Sequence, residues 1–315
     1  MVFIYKIDYE KIKDNILELS KNDYIVLKSN AYGFGLEKVL DIAYECGMKK
    51  FCVITIEDAI LIKEKYNDSR VLLLGPMNKN DLSLYIYYQI EISITSNKDF
   101  MVIENYDVLY QVEVNTGMNR FGVKSINSLE LNNDKRFKGV YSHNATSDIN
   151  FINDQIQNFF ESSKYIINKD IHFASSSTKN MNIPFASSRR IGCAIYNDSL
   201  TVYGTIIQVN FCKKGEYLGY DYTYKFENDS YSGVIDLGYA DGLERRCEGF
   251  LVYVKGKMFP LIGRACMNHS FVLLDEESYL NEKVTIIGSN NKLENYLSYF
   301  QKIPHEVYIS FLKRY

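Results

Sequence analysis

Short strand-like runs, most of them continuously apolar, recur through the first two-thirds of this chain, and helix-patterned stretches separate several of them. Eight runs read as strands: residues 24–28, 51–55, 70–75, 91–96, 110–114, 138–143, 170–175 and 190–196. Strands that are apolar on both faces need cover on both sides, which a parallel sheet obtains from the helices of its own crossovers. Residues 36–46, 56–65 and 152–168 carry apolar side chains at helical spacing and provide that cover. Strand–helix repetition eight times over predicts a (β/α)8 TIM barrel, with the fourth and fifth units the least regular. Beyond Tyr196 the runs alternate and are broken by Gly, Asn and Asp, as in TVYGTIIQVNFCKKGE and GFLVYVKGKMFPLIG. That texture predicts a mostly antiparallel β domain. The expected division is residues 1–198 for the barrel and 199–315 for the β domain. The first run, VFIYKID, is a further strand that either joins the β domain or caps the barrel.

At 315 residues the length suits one barrel-sized domain and a smaller one. A net charge of −3 with no basic or acidic block argues against nucleic acid or an anionic membrane as partner. No apolar run is long enough to span a membrane, and MVFIYKIDYEK lacks the pattern of a signal peptide. Six cysteines lie scattered without CxxC pairs and read as reduced thiols, so a cytoplasmic location is expected. None of the four histidines has the spacing of a metal site, and no metal is expected.

The stretch VLKSNAYGFG, Val26 to Gly35, brings chemistry to the first strand. Lys28 stands where the apolar run gives way to a turn rich in small residues and glycine, with a helical pattern after it. A desolvated lysine there can form a Schiff base with a carbonyl compound, because burial lowers its pKa and frees the amine. An ordinary strand-end lysine would instead extend its amine to water. VLKSNAYGFG resembles the cofactor-lysine segment of the alanine racemases, commonly close to VVKANAYGHG. Further segments resemble that family in its order: VEVNTGMNRFGV, SHNATSD, IHFASSS, RRIGCAIY, GYDYTY, GYADG, GRACMNH and the closing IPHEVYISFLKRY. The matches cover nearly the whole chain.

The resemblance implies a pyridoxal 5'-phosphate enzyme that interconverts L- and D-amino acids, alanine above all, as a homodimer with shared active sites. It implies two bases, Lys28 and Tyr220, the latter supplied by the partner subunit. Racemisation needs a base on each face of the substrate Cα. A phenol is a weak base at neutral pH and needs a stabilising neighbour, for which the resemblance offers His143 beside Arg190. Tyr32, His143, Ser176, Arg190, Gly192 and His305 would join Lys28 in holding the cofactor. Arg120, Met267 and Tyr239 would bind or admit the small amino-acid substrate. Arg190 separates this reading from the related decarboxylases, which use an acidic residue at that point. A guanidinium can donate to a pyridine nitrogen but cannot protonate it, so the ring remains a weaker electron sink. An Arg189–Arg190 pair would otherwise be an unremarkable surface feature.

Four positions depart from the family pattern: Phe34 for histidine, Asn268 for aspartate, Glu113 for a lysine often carbamylated, and His305 for tyrosine. Glu113 is expected to pair with Arg120 and so replace the carbamate without modification. His305 is expected to leave a roomier, more polar pocket, which keeps serine or another small amino acid open as substrate. A pyridoxal-phosphate-binding protein without turnover is the other reading, although a carrier has no need of Tyr220.

Overall fold

The computed structural model describes residues 4–146 and 148–312. Val2 and Phe3 of the first run, Ser147 of SHNATSD, and Lys313, Arg314 and Tyr315 of the closing motif lie outside the described residues. Two compact units result: one of Lys13–Ala31 and Gly35–Ile195, the other of the chain up to Ile12, Tyr32–Phe34 and everything from Tyr196.

Strand β1 (Tyr5–Ile7) belongs to the second unit. The first unit holds β2 (Tyr24–Val26), β3 (Lys50–Val53), β4 (Arg70–Pro76), β5 (Glu91–Ile94), β6 (Tyr110–Glu113), β7 (Phe137–Tyr141), β8 (Asp170–His172) and β9 (Arg190–Ile191). All eight are parallel, in the order β8-β7-β6-β5-β4-β3-β2-β9. The two ends meet, since His172 bridges to Ser188 and Arg190 N donates to Ala174 O at 2.9 Å. The sheet is therefore barrel-like, with helices between its strands. In the helix Leu36–Glu45, Leu36, Val39, Leu40, Ile42 and Ala43 are buried at helical spacing. Each fully buried aliphatic side chain of this kind contributes roughly 1.5–3 kcal/mol. Thr55 caps Ile56–Lys65, accepting from Asp58 N at 3.2 Å. The helix expected from residue 152 starts at Ile149, because Asp148 accepts from Asn150 N and caps it there. The last expected strand, 190–196, stops after two residues. Gly192 N and Ala194 N both turn to the Ser176 hydroxyl, and a short 3-10 turn, Cys193–Tyr196, follows.

The second unit is antiparallel throughout: β10 (Leu200–Cys212), β11 (Tyr217–Leu218), β12 (Tyr224–Lys225), β13 (Ser230–Ile235), β14 (Leu251–Val254), β15 (Lys257–Pro260), β16 (Ser270–Leu274) and β17 (Lys283–Ile287). Its main sheet runs β15-β14-β17-β10-β13-β16, and a bridge from Leu261 to Val272 links its ends, so it too is barrel-like. Two register shifts in the long β10 bend it enough to pair with β17, β13 and β1. β1 lies against β10, Tyr5 opposite Val202, which settles the place of the N-terminal strand. Among the described residues no helix is long and apolar enough to cross a membrane.

Candidate active site

Leu27 still bonds as a strand residue, its N donating to Cys52 O at 2.8 Å, and Lys28 begins a turn of the opposite hand. Ser29, Asn30, Ala31 and Tyr32 all have φ between 54° and 57°. For side chains with a Cβ this left-handed conformation costs roughly 1–2 kcal/mol each, so the turn persists only because its surroundings hold it. Ala31 N donates to Leu27 O at 2.9 Å, Gly35 N to Asn30 O at 3.1 Å, and Asn30 Oδ1 accepts Leu36 N at 2.7 Å. Burial lowers the pKa of the half-buried Lys28 amine, and the positive charges of Arg120 and Arg190 lower it further.

Arg190 is 5% exposed and Arg189 is not its equal. Arg189 turns to Asp23, with Nη2 donating at 2.5 Å. Arg190 Nη1 donates to His172 Nδ1 at 2.8 Å and to His172 O at 3.0 Å, while Nη2 donates to Ser142 O at 2.5 Å. Ser142 directly precedes His143, so this bond brings the Arg190 charge near the His143 ring. Burial, with Arg190, Arg120 and Lys28 nearby, depresses the His143 pKa to about 3, so its imidazole is neutral at physiological pH.

Glu113, at the end of β6, does not pair with Arg120. Its Oε2 lies 3.1 Å from the Tyr141 hydroxyl, and among the described residues no ion pair joins it to Arg120. The reason is burial. Glu113 is enclosed in the barrel while Arg120 is exposed on the loop beyond it, its guanidinium over the Phe121 ring at 5.4 Å. Desolvation raises the Glu113 pKa, with Tyr141, Arg190 and Arg120 acting against it. Ser176 and Gly192, both expected at a phosphate, are joined to one another, with Gly192 N donating to Ser176 Oγ at 3.0 Å.

The remaining expected residues lie in the second unit. Tyr32 is buried, with the His305 ring centroid at 5.3 Å and that of Tyr196 at 5.5 Å. The GYADG and GRACMNH segments are locked together: Tyr239 N donates to Cys266 O at 3.0 Å and Ala240 N to Met267 O at 2.9 Å. Only glycine fits at 238, where a Cβ would stand 2.4 Å from Met267 O. Tyr239 and Met267 are thereby brought to one place, 40% and 57% exposed. Tyr220 sits on a tight turn that Asp221 ties to the same segment through Arg264, at 3.1 Å, and is 67% exposed.

Sequence reasoning missed the polar network inside the barrel: Tyr24, Lys50, Arg70, Glu91, Gln111 and Asp170. Its signal was available, since Glu91 and Ser93, Gln111 and Glu113, and Asp170 and His172 are polar residues two apart on predicted strands, hence on one face.

The pattern of the alanine racemase N-terminal domain matches residues 7–199, and that of the alanine racemase C-terminal domain residues 199–315. The chain belongs to the alanine racemase family. It is an alanine-racemase-like, pyridoxal-phosphate-dependent racemase. Alanine racemase of Listeria monocytogenes serotype 4a (strain HCC23) is 27% identical over 95% of this chain and 91% of its own length. The crystal structure of alanine racemase from Bartonella henselae, with covalently bound pyridoxal phosphate, superposes with a TM-score of 0.88 at 24% identity, covering 99% of this chain and 98% of that one. A histidine racemase from Leuconostoc mesenteroides subsp. sake shares the fold too, with a TM-score of 0.79 at 18% identity over 98% and 95% of the two chains. The fold alone therefore does not choose the amino acid.

Proposed function

We propose that this protein interconverts the L and D forms of alanine, using pyridoxal 5'-phosphate, in a homodimer whose active sites take residues from both subunits. The observation that carries the reading is the Lys28 amine. It is desolvated, pushed towards its neutral form by Arg120 and Arg190, and mounted on a turn whose four left-handed residues hold it in one place.

The residues present fit the cofactor. Lys28 Nζ, its pKa lowered by burial, would meet the aldehyde carbon, and Arg190 is a buried donor for the ring nitrogen. Tyr32, Ser176 and His305 offer polar side-chain donors for its phosphate, with Gly192 N–H holding the Ser176 hydroxyl in place. When bound, pyridoxal phosphate acidifies the Cα–H of an amino acid by drawing its electrons into the ring. Lys28 Nζ takes or returns the Cα proton on one face, for which a depressed pKa suits it. Tyr220 of the second copy serves the other face. Its exposure and its fixed turn support that role, because it is held in position yet not buried in its own subunit. His143, its pKa depressed to about 3 and its ring therefore neutral at physiological pH, adds a hydrogen-bonding ring without adding charge. Arg120 meets the substrate carboxylate, free of the Glu113 pairing that would compete for it.

A second reading has one specific observation behind it. His305 faces Tyr32 at 5.3 Å where the resemblance expects a phenol, and a smaller polar ring widens the choice of side chain. Incubation of the cofactor-loaded protein with L-alanine, L-serine and L-histidine separately, followed by chiral chromatography, decides between substrates. Alanine should turn over fastest with measurable serine, and His305→Tyr should shift the ratio towards alanine. An unchanged ratio removes His305 from the pocket, and histidine as the fastest substrate overturns the assignment of alanine.

A further inference from the structure

Arg190 is one end of a chain of hydrogen bonds that crosses the barrel interior, and the direction of every donor in it can be deduced. A guanidinium only donates, so His172 Nδ1, 2.8 Å from Arg190 Nη1, must accept and carry no proton. A neutral imidazole then bears its proton on Nε2, which lies 2.6 Å from Gln111 Oε1. The other end gives the same answer independently. Glu91 is clamped by Arg70, Nε to Oε1 at 2.6 Å and Nη2 to Oε2 at 3.0 Å, and a carboxylate only accepts. Gln111 must therefore turn its amide nitrogen to Glu91 Oε2, at 2.6 Å, and to the Tyr24 hydroxyl, at 2.9 Å. Its oxygen is left facing His172. The Tyr24 hydroxyl donates in turn to Asp170 Oδ2 at 2.6 Å, and Asp170 is held by Arg70 at 2.7 Å and Lys50 at 2.9 Å. Two fixed ends and no reversible link leave one arrangement of protons.

We propose that Gln111 is a positioning residue for the ring-nitrogen contact: by accepting from His172 Nε2 it keeps the His172 Nδ1 lone pair on Arg190 and so sets the guanidinium. The proposal rests on the pyridoxal-phosphate reading only in what Arg190 then meets. Three features hold the relay to its task. Gln111 and His172 are both fully buried, so no water substitutes for either partner. The His172 ring lies between two near-parallel tyrosines, Tyr24 at 4.8 Å and Tyr141 at 5.2 Å, which fix its plane. Among the described residues three Arg190 N–H groups are committed, to His172 Nδ1, His172 O and Ser142 O, leaving the rest of its fork for a ligand. Replacing Gln111 with methionine preserves volume but strands the His172 Nε2 proton in an apolar gap, so the ring must rotate or shift and Arg190 loses its acceptor. Replacing it with glutamate keeps an oxygen towards His172.

The test needs no cofactor. Two-bond proton–nitrogen correlation spectra of histidine-labelled protein, which has four histidines, report tautomers directly. The wild-type protein should show His172 as the Nε2–H tautomer with a hydrogen-bonded Nδ1, unchanged from pH 8 to pH 6. Gln111→Met should lose that signature, and Gln111→Glu should keep it. In cofactor-loaded protein Gln111→Met should then lower kcat by on the order of tenfold or more, with KM changed little, and Gln111→Glu should recover part of it. An Nδ1–H tautomer or an imidazolium in the wild type overturns the proposal even if no variant folds. So does an unmoved His172 signature in Gln111→Met. Absence of pyridoxal-phosphate binding would instead overturn the functional reading, leaving the tautomer result to stand by itself.

Discussion

His143 and Glu113 show how burial rewrites side chains that a sequence presents as ordinary. The His143 pKa falls from 6.5 to about 3 on folding, so between those values the unfolded chain takes up a proton that the folded chain refuses. Stability should accordingly fall as pH drops from 6.5 towards 3 and be fully restored above that window. His143→Asn should flatten this acid limb in urea titrations run at successive pH values; an unaltered slope would show that the imidazole is solvated. Glu113 was expected to stand in for a carbamylated lysine by gripping Arg120, and instead it meets Tyr141. It still needs no modification. Turnover should therefore be indifferent to added bicarbonate, whereas Glu113→Lys should introduce a dependence; wild-type rates that rise with bicarbonate would contradict this. The strand-to-turn switch at Lys28 was legible from its neighbours, and the burial of Arg190 beside a more exposed Arg189 was expected only from the motif around it. The inward course of Glu113 was not, because only the pleat of β6 and the enclosure of the barrel decide that a carboxylate points away from the loop where its expected partner sits.

The turn after β2 carries more of the function than either strand or helix beside it. Asn30 has two duties there: it is among the side chains that best tolerate the left-handed region, and its Oδ1 satisfies Leu36 N at the start of the next helix. Asn30→Ala should cost about 1–3 kcal/mol from the two losses combined, read as a lowered urea midpoint at unchanged slope, and should weaken cofactor retention by loosening Lys28. A variant as stable as wild type would mean that the turn is not strained. The sequence announced a turn here through Ser29, Gly33 and Gly35 but not its hand, since three of its four left-handed residues, Ser29, Ala31 and Tyr32, do not favour that region. Strand existence was readable throughout the barrel, from 24–28 to 190–196, because apolar runs need cover. Strand ends were not: β9 stops at Ile191 because a hydroxyl from Ser176, sixteen residues away, captures the next backbone donors.

The two barrel-like sheets were both legible in chain order, as a change from continuous to alternating apolar runs beyond Tyr196. The exception is β1, where a short run carries no mark of its partner and pairing with β10 is decided in three dimensions. The proposed two-base chemistry sets Lys28 of one copy against Tyr220 of a second copy. The most direct test is the formation of D-alanine from L-alanine, followed by chiral chromatography, for the wild-type protein, Lys28→Ala, Tyr220→Phe and an equimolar mixture of the two variants refolded together. The account predicts D-alanine from the wild type, none from Lys28→Ala, a loss on the order of a hundredfold or more in Tyr220→Phe, and partial recovery in the mixture, where hybrid dimers hold one intact site. Undiminished D-alanine formation by Lys28→Ala or by Tyr220→Phe would contradict it.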